Sequence, residues 1–304
     1  MSLQFYQTLA YKVCFKQKVL IMKFISYKHN SEPKFGIIDN NLITDLTGKI
    51  SGANTLKDLI FKNGISEAKT YVSANPGNLS VDDIEYLPLI PNPGKIICVG
   101  LNYSEHVKET NRTVEENPVI FHRFPDSQTA HLQPIQRPVV SQSLDFEGEM
   151  AVIMGEGGKH IKPEDALKYI IGYSCYNEST VREWQRHTRQ FGMGKNFEKT
   201  GSFGPHMVLA EDIKNYKNLT IETRLNGEVM QNAKLSQLIF DIPILISYVS
   251  KAMAWRAGDV LVTGTPGGVG FKRNPPIFMK PGDNVEIEIT EIGTLSNTIK
   301  DEII

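Results

Sequence analysis

Short apolar runs, each closed by glycine, proline or asparagine, recur along this chain, and a clear helical period is confined to one stretch. The runs KIICVG (95–100), EMAVIMG (149–155), IIGYSCYN (170–177), HMVLA (206–210) and DVLVTG (259–264) read as strands. TIETRLNGEVMQNA carries Asn226-Gly227, the strongest short-range signal for a hairpin. VEIEIT (285–290) alternates, so Val285, Ile287 and Ile289 share one face. The helix is expected from Asp241 to Trp255, capped by Asp241, with Pro243 in its first turn and a stripe of Ile242, Leu245, Ile246, Val249 and Met253. Many strands and few helices predict a β-dominated α+β fold with a mixed or antiparallel sheet.

Residues 22–48 read as short strands with an Asn40-Asn41 turn, and Thr55 and Gly64 bracket a short helix around LKDLIF. Pro88, Pro91 and Pro93 then punctuate a linker, which divides a small N-terminal domain (22–90) from a larger unit (95–304). The basic stretch 1–21 is broken by Lys12, Lys16 and Lys18, lacks a secretory apolar core, and reads as an extension or artefact outside the fold. Thirty-three Lys and Arg against 34 Asp and Glu leave no electrostatic footprint for nucleic acid. No apolar run approaches the roughly 20 residues of a membrane-spanning helix, so the expectation is a soluble protein with neither a nucleic-acid nor a membrane partner. Three cysteines (Cys14, Cys98, Cys175) without metal-type spacing point to a reducing, cytoplasmic setting.

The richest chemistry lies in Phe146-Glu147-Gly148-Glu149, which runs into MAVIM. Glu147 and Glu149 are two apart on a strand and point the same way. Either they project into solvent from an edge, or they are buried and need a cation between them. Glu178 ends another strand, directly before a helix that Thr180 and Glu183 would open as a capping box. Three carboxylates completed by water suit Mg²⁺ or Mn²⁺ better than Zn²⁺. That helix would align Arg182, Gln185 and Arg186, which are either a solvated face or a grip for a substrate carboxylate or carbonyl. Ser104 would cap a short helix that sets His106 and Glu109 on one face, a pair suited to activating water. Lys195, between glycines and aromatics, could neutralise an enolate. The glycine-rich Thr263–Gly270 lacks the Gly-Lys-Ser/Thr ending of a nucleotide loop, but its N–H groups and the Thr265 hydroxyl could cradle a small anion.

Taken in order, CVGLNYSEHVKE, DFEGEMAVIMG, GYSCYNESTVREWQ, GKNFEKTGSFGP, TRLNGEVMQ and GDVLVTGTPGGVG resemble the fumarylacetoacetate hydrolase family over about residues 95–300. The likeness is to its acylpyruvate hydrolase and 2-hydroxyhepta-2,4-diene-1,7-dioate isomerase-like branch. It implies a mixed β-roll with a small N-terminal domain, a homodimer, and a divalent ion held by three acidic residues. The ligands fall on Glu147, Glu149 and Glu178, the water-activating pair on His106 and Glu109, the lysine on Lys195 and the oxyanion threonine on Thr265. Two departures stand out: Glu178 where the family usually has aspartate, and His122-Arg123 where it often has a lysine. Arg123 keeps the charge and offers a fork for carboxylates.

The resemblance thus implies a Mg²⁺- or Mn²⁺-dependent enzyme acting on small 2-oxo or 1,3-diketo acids, with C–C bond hydrolysis foremost. A hydratase, isomerase or decarboxylase of 2-oxo dicarboxylic acids, as in aromatic catabolism, could use the same groups, and a catalytically silent ligand-binding member is the reading from another class. His106 with Glu109 would act as base, Lys195 would stabilise negative charge, and Arg123, Arg182, Gln185 and Thr265 would hold substrate. The polar segment 121–137, with two prolines, reads as a lid over the site.

Overall fold

A computed structural model describes residues 21–304; residues 1–20, and with them Cys14 and the reading of 1–21 as an extension, lie outside the described residues. The dominant element is a 12-stranded mixed sheet. From one edge its path runs through Leu79–Ser80, Leu42–Asp45, Glu32–Asp39, Lys23–His29, Gly201–Leu209, Ile170–Glu178, Gly148–Met154, Val260–Val262, Ile96–Gly100 and Val119–Arg123. Neighbours along this path are antiparallel except Val260–Val262 with Ile96–Gly100. A five-stranded sheet packs on it, in the order Glu228–Lys234, Thr220–Leu225, Asn284–Ile289, Gly293–Asp301, Ile135–Arg137.

Two asparagine turns set the hairpins. Asn40 and Asn41 adopt φ of 45° and 66°, and Asn226 and Gly227 adopt 53° and 82°, the left-handed pair that matches strand twist. Thr55 caps the helix Leu56–Phe61 reciprocally with Asp58, and Asp241 caps Ile242–Ala252, which ends before Met253 and buries Ile242, Leu245, Ile246 and Val249. One helix, Ile65–Ala74, carries little sequence signal: Ala68 is its sole buried residue.

Strand alternation divides the interior into two layers. Met150, Val152, Met154 and Cys175 face the five-stranded sheet, whose Val285, Ile287, Ile289 and Leu295 meet them. Ala151, Ile153, Tyr176, Phe203, Val260 and Val262 face the other way, onto Phe24, Phe35, Ile37, Leu46, Leu56 and Leu59. The proline cluster therefore does not separate two cores. Lys23 and Phe24 pair with Val208 and Met207, so sheet and apolar layer both run across the expected boundary. Each fully buried Leu, Ile or Phe in such a layer contributes about 1.5–3 kcal/mol.

The expected lid is part of this framework. Gln128–Thr129 pairs with Gly201–Leu209, Ile135–Arg137 pairs with Gly293–Asp301, and Ser127, Gln128, Thr129 and Ala130 are buried. The Asn297 amide donates to the carbonyls of Ala130 and Gln133, both at 2.7 Å. Polar side chains that look solvated in sequence are here satisfied internally. Among the described residues no helix is long and apolar enough to cross a membrane.

Candidate active site

The site forms where the sheet face carrying Ala151 and Ile153 runs out of apolar residues. Register brings its carboxylates together. Gly148 pairs with Asn177, the Glu178 N–H donates to the Glu147 carbonyl at 2.8 Å, and the Glu147 N–H donates to Asn177 Oδ1 at 3.0 Å. Glu147 and Glu178 thus oppose each other across the ladder, and Glu149 lies two residues on along the same face. All three are buried, and one oxygen from each lies within 4.8 Å of the others. They do not project into solvent.

This cluster is only partly neutralised. Lys195 Nζ donates to Glu147 Oε2 at 2.6 Å and Glu178 Oε2 at 2.8 Å, with its ammonium 4.9 Å from the Phe121 ring. Arg182 reaches Glu147 Oε1 at 2.7 Å. Burial raises the Glu147 carboxyl, but Arg182 and Lys195 outweigh it and hold the group at about 2. Glu149 goes the other way, pushed far up by burial and by the charges of Glu178 and Glu147. Among the described residues, the buried Glu178 Oε1 has no hydrogen-bond partner. An orphaned carboxylate oxygen beside a repelled one is what a hard divalent cation would satisfy, so the trio fits a metal ion.

His106 and Glu109 lie on one face of the helix Ser104–Glu109, with Nδ1 and Oε1 2.7 Å apart. Ser104 does not cap this helix; it is the first helical residue, after Tyr103. Glu109 accepts a second hydrogen bond at Oε2 from the Gly268 N–H at 2.9 Å. Gly264 N–H donates to Glu149 at 2.5 Å, and Gly270 and Phe271 N–H donate to Asp145 at 2.8 and 3.1 Å. The glycine-rich loop does cradle anions, but they are the protein's own carboxylates.

The expected capping box at Thr180 and Glu183 does not form. Thr180 belongs to a two-stranded ladder with Asp145 and its hydroxyl donates to the Glu178 carbonyl, while Glu183 accepts from Ser141. The helix is only Arg182–Gln185. Arg182 Nε donates to the buried Asp145 at 2.7 Å and Nη1 to Gln185 Oε1 at 3.0 Å.

A cavity of about 720 Å³ opens over the trio, lined by Glu147, Glu149, Glu178, His106, Lys195, Arg182, Gln185 and Thr265. Thr265 donates to the Gly148 carbonyl at 3.0 Å and accepts from Gln231 at 2.8 Å, so its proton is already used. Arg123 does not line the cavity. Its buried guanidinium donates to Ser127, the Ser179 carbonyl and Thr200 behind the site. Sequence reading also passed over Asp145, which fastens Arg182 to the glycine-rich loop, and over Arg112, Arg189, Phe191 and Phe271 in the cavity wall. Only Asp145, one residue before the acidic motif, had a local signal.

Residues 95–300 match the family described as Fumarylacetoacetate (FAA) hydrolase C-terminal. The chain is 39% identical over 240 residues to "Oxaloacetate tautomerase fahd2, mitochondrial" of Xenopus laevis, covering 78% of this chain and 75% of that one. It is 40% identical over 224 residues to "Oxaloacetate tautomerase YisK" of Bacillus subtilis, covering 72% and 74%. Its fold superposes on fumarylacetoacetate hydrolase from Exiguobacterium antarcticum with a TM-score of 0.82 at 32% identity, over 92% of this chain and all of the other. The β-dominated architecture, the spacing of the site motifs and these likenesses agree: this chain belongs to the fumarylacetoacetate hydrolase family.

Proposed function

We propose that this protein catalyses keto–enol tautomerisation of a small 2-oxo dicarboxylic acid such as oxaloacetate, with a divalent ion held by Glu147, Glu149 and Glu178. The observation that carries the reading is that His106, held by Glu109, opens onto the same cavity as the carboxylate trio. With Nδ1–H donating to Glu109, Nε2 is the free lone pair, and it takes a proton from the carbon next to the 2-oxo group. The same imidazolium delivers that proton to the 2-oxo oxygen, so a C–H bond is exchanged for an O–H bond and no carbon–carbon bond breaks. When bound, Mg²⁺ or Mn²⁺ supplies positive charge that stabilises an enolate. Lys195 holds two carboxylates in place and keeps one N–H for developing negative charge. Gln185, with its carbonyl engaged by Arg182, turns its amide N–H₂ to the substrate.

The names of relatives at 39 and 40% identity support tautomerisation over the C–C hydrolysis first expected. Hydrolysis is the second reading, favoured by the structural likeness to a fumarylacetoacetate hydrolase. One ultraviolet assay separates them. Enol-oxaloacetate should convert to the keto form faster than in buffer, lose that acceleration in EDTA, and regain it with Mn²⁺ or Mg²⁺. Cleavage of acylpyruvates without any such acceleration would replace tautomerisation by hydrolysis, and full activity in EDTA would remove the metal. We propose a homodimer in a reducing compartment, cytoplasmic or mitochondrial; the free buried thiols of Cys98 and Cys175 support a reducing setting.

A further inference from the structure

The cavity is acidic at its floor and basic at its mouth. Arg182 and Lys195, near the floor, have carboxylate partners. Arg112, Arg186, Arg189 and Lys272 line the same cavity, and among the described residues none forms an ion pair, nor does the rim acid Glu115.

Aromatic rings lie against three of these cations. The Arg186 guanidinium lies 4.5 Å from the centre of the Phe271 ring, which also carries Arg182 at 4.1 Å and the Lys272 ammonium at 5.3 Å. The Arg112 guanidinium lies 5.6 Å from the Phe191 ring, which packs edge-on against Phe121. The two guanidiniums feel each other: partial burial, then the charges of Arg182 and Arg112, push Arg186 below its usual range. Four cations against the single acid Glu115 at the mouth favour whatever anion enters between them. Arginine's planar fork also matches a carboxylate in a way the Lys272 ammonium cannot, and Arg189 has no ring to hold it.

We propose that Arg186 and Arg112 clamp the distal carboxylate of the substrate, and so select 2-oxo dicarboxylic over 2-oxo monocarboxylic acids. The inference rests on the 2-oxo acid reading above and names the specificity residues of that same cavity. Arg112 follows the helix that carries His106 and Glu109, and its N–H donates to the Val107 carbonyl at 3.1 Å. A carboxylate gripped there also steadies the segment bearing the base.

The test is calorimetric binding to the full-length, Mn²⁺-loaded protein. Two chain-matched pairs serve as probes, oxaloacetate with 2-oxobutyrate and 2-oxoglutarate with 2-oxopentanoate; oxalate probes the floor alone. Wild type should prefer the diacid of at least one pair by about ten- to a hundredfold, the worth of one charged hydrogen-bonded contact. Arg186→Met and Arg112→Gln should each cut that preference, the double variant should abolish it, and Arg186→Lys should restore part. Oxalate affinity and melting temperature should hold throughout, since both side chains are exposed. No diacid preference in wild type, or a preference that survives in the double variant, overturns the clamp while oxalate binding leaves the parent reading intact. Failure of oxalate and all four oxo acids to bind overturns both.

Discussion

The fold opposes ionisation of Glu149, which is buried beside Glu178 and Glu147 and, among the described residues, accepts a hydrogen bond only from the Gly264 N–H. Glu149→Gln removes that repulsion and keeps an oxygen for Gly264. The metal-free variant should melt no lower than wild type, while Mn²⁺ affinity falls by more than the about 10–100-fold that an outer-shell change costs. Thermal melts with and without Mn²⁺ check both halves. His106→Ala should lower turnover by about 10²–10⁴-fold with Mn²⁺ affinity unchanged, and Glu109→Gln by less, because the imidazole then loses its orientation but stays in place. Steady-state rates beside calorimetry give the comparison. At this scale the chain was readable where candidate residues sat in short motifs: Glu147, Glu149, Glu178, His106 and Lys195 line one cavity, and Glu109 is bound to His106. Arg123 misled because its charge is spent on Ser127, Ser179 and Thr200, partners that no local pattern announces. Arg186 was grouped with Arg182 by helical spacing, but its setting depends on Phe271, far along the chain.

The glycine-rich loop is the element that ties base to metal floor. Gly268 has φ near +100°, and a Cβ there would lie 2.2 Å from the Met230 carbonyl oxygen. Gly268→Ala is therefore expected to cost about 1–3 kcal/mol of stability through backbone strain. It should also slow turnover, because the N–H that fixes Glu109 must move. Urea unfolding together with the tautomerase assay checks this; full activity would show that Glu109 needs no such tether. Strands were legible because turns bounded them and alternation marked their faces. The helix Ile65–Ala74 was not, since a helix that buries little beyond Ala68 leaves almost no apolar period. Segment 121–137 failed as a lid for a related reason: the Tyr176 hydroxyl donates to Gln128 at 2.6 Å, so its polarity serves the interior.

Across the whole molecule, two histidines record how the N-terminal strands and the body were folded together. The His206 Nε2–H donates to the Ile292 carbonyl within the body, and Tyr86 packs edge-on against His131 at 4.9 Å. Burial holds both imidazoles at about 4 against an ordinary 6.5. The folded protein thus keeps them neutral while the unfolded chain takes up protons below 6.5. Their contribution is complete above 6.5 and is lost as pH falls towards 4, up to about 3 kcal/mol each. His206→Gln should flatten this decline, read as the shift in urea midpoint between pH 7.5 and 4.5 for metal-free protein; an unchanged slope would sink the assignment. The division at Pro88–Pro93 is where sequence reading fell short, since proline marks a bend in the chain but not what lies on either side of it in space. Because Phe24, Phe35 and Leu56 complete the surface that Ala151, Ile153 and Val260 present, the family-matched stretch 95–300 is no portable module. Expressed by itself it would carry a bare greasy flank, and chimeras that splice the front of one relative onto the body of another would have to import both sides of that seam.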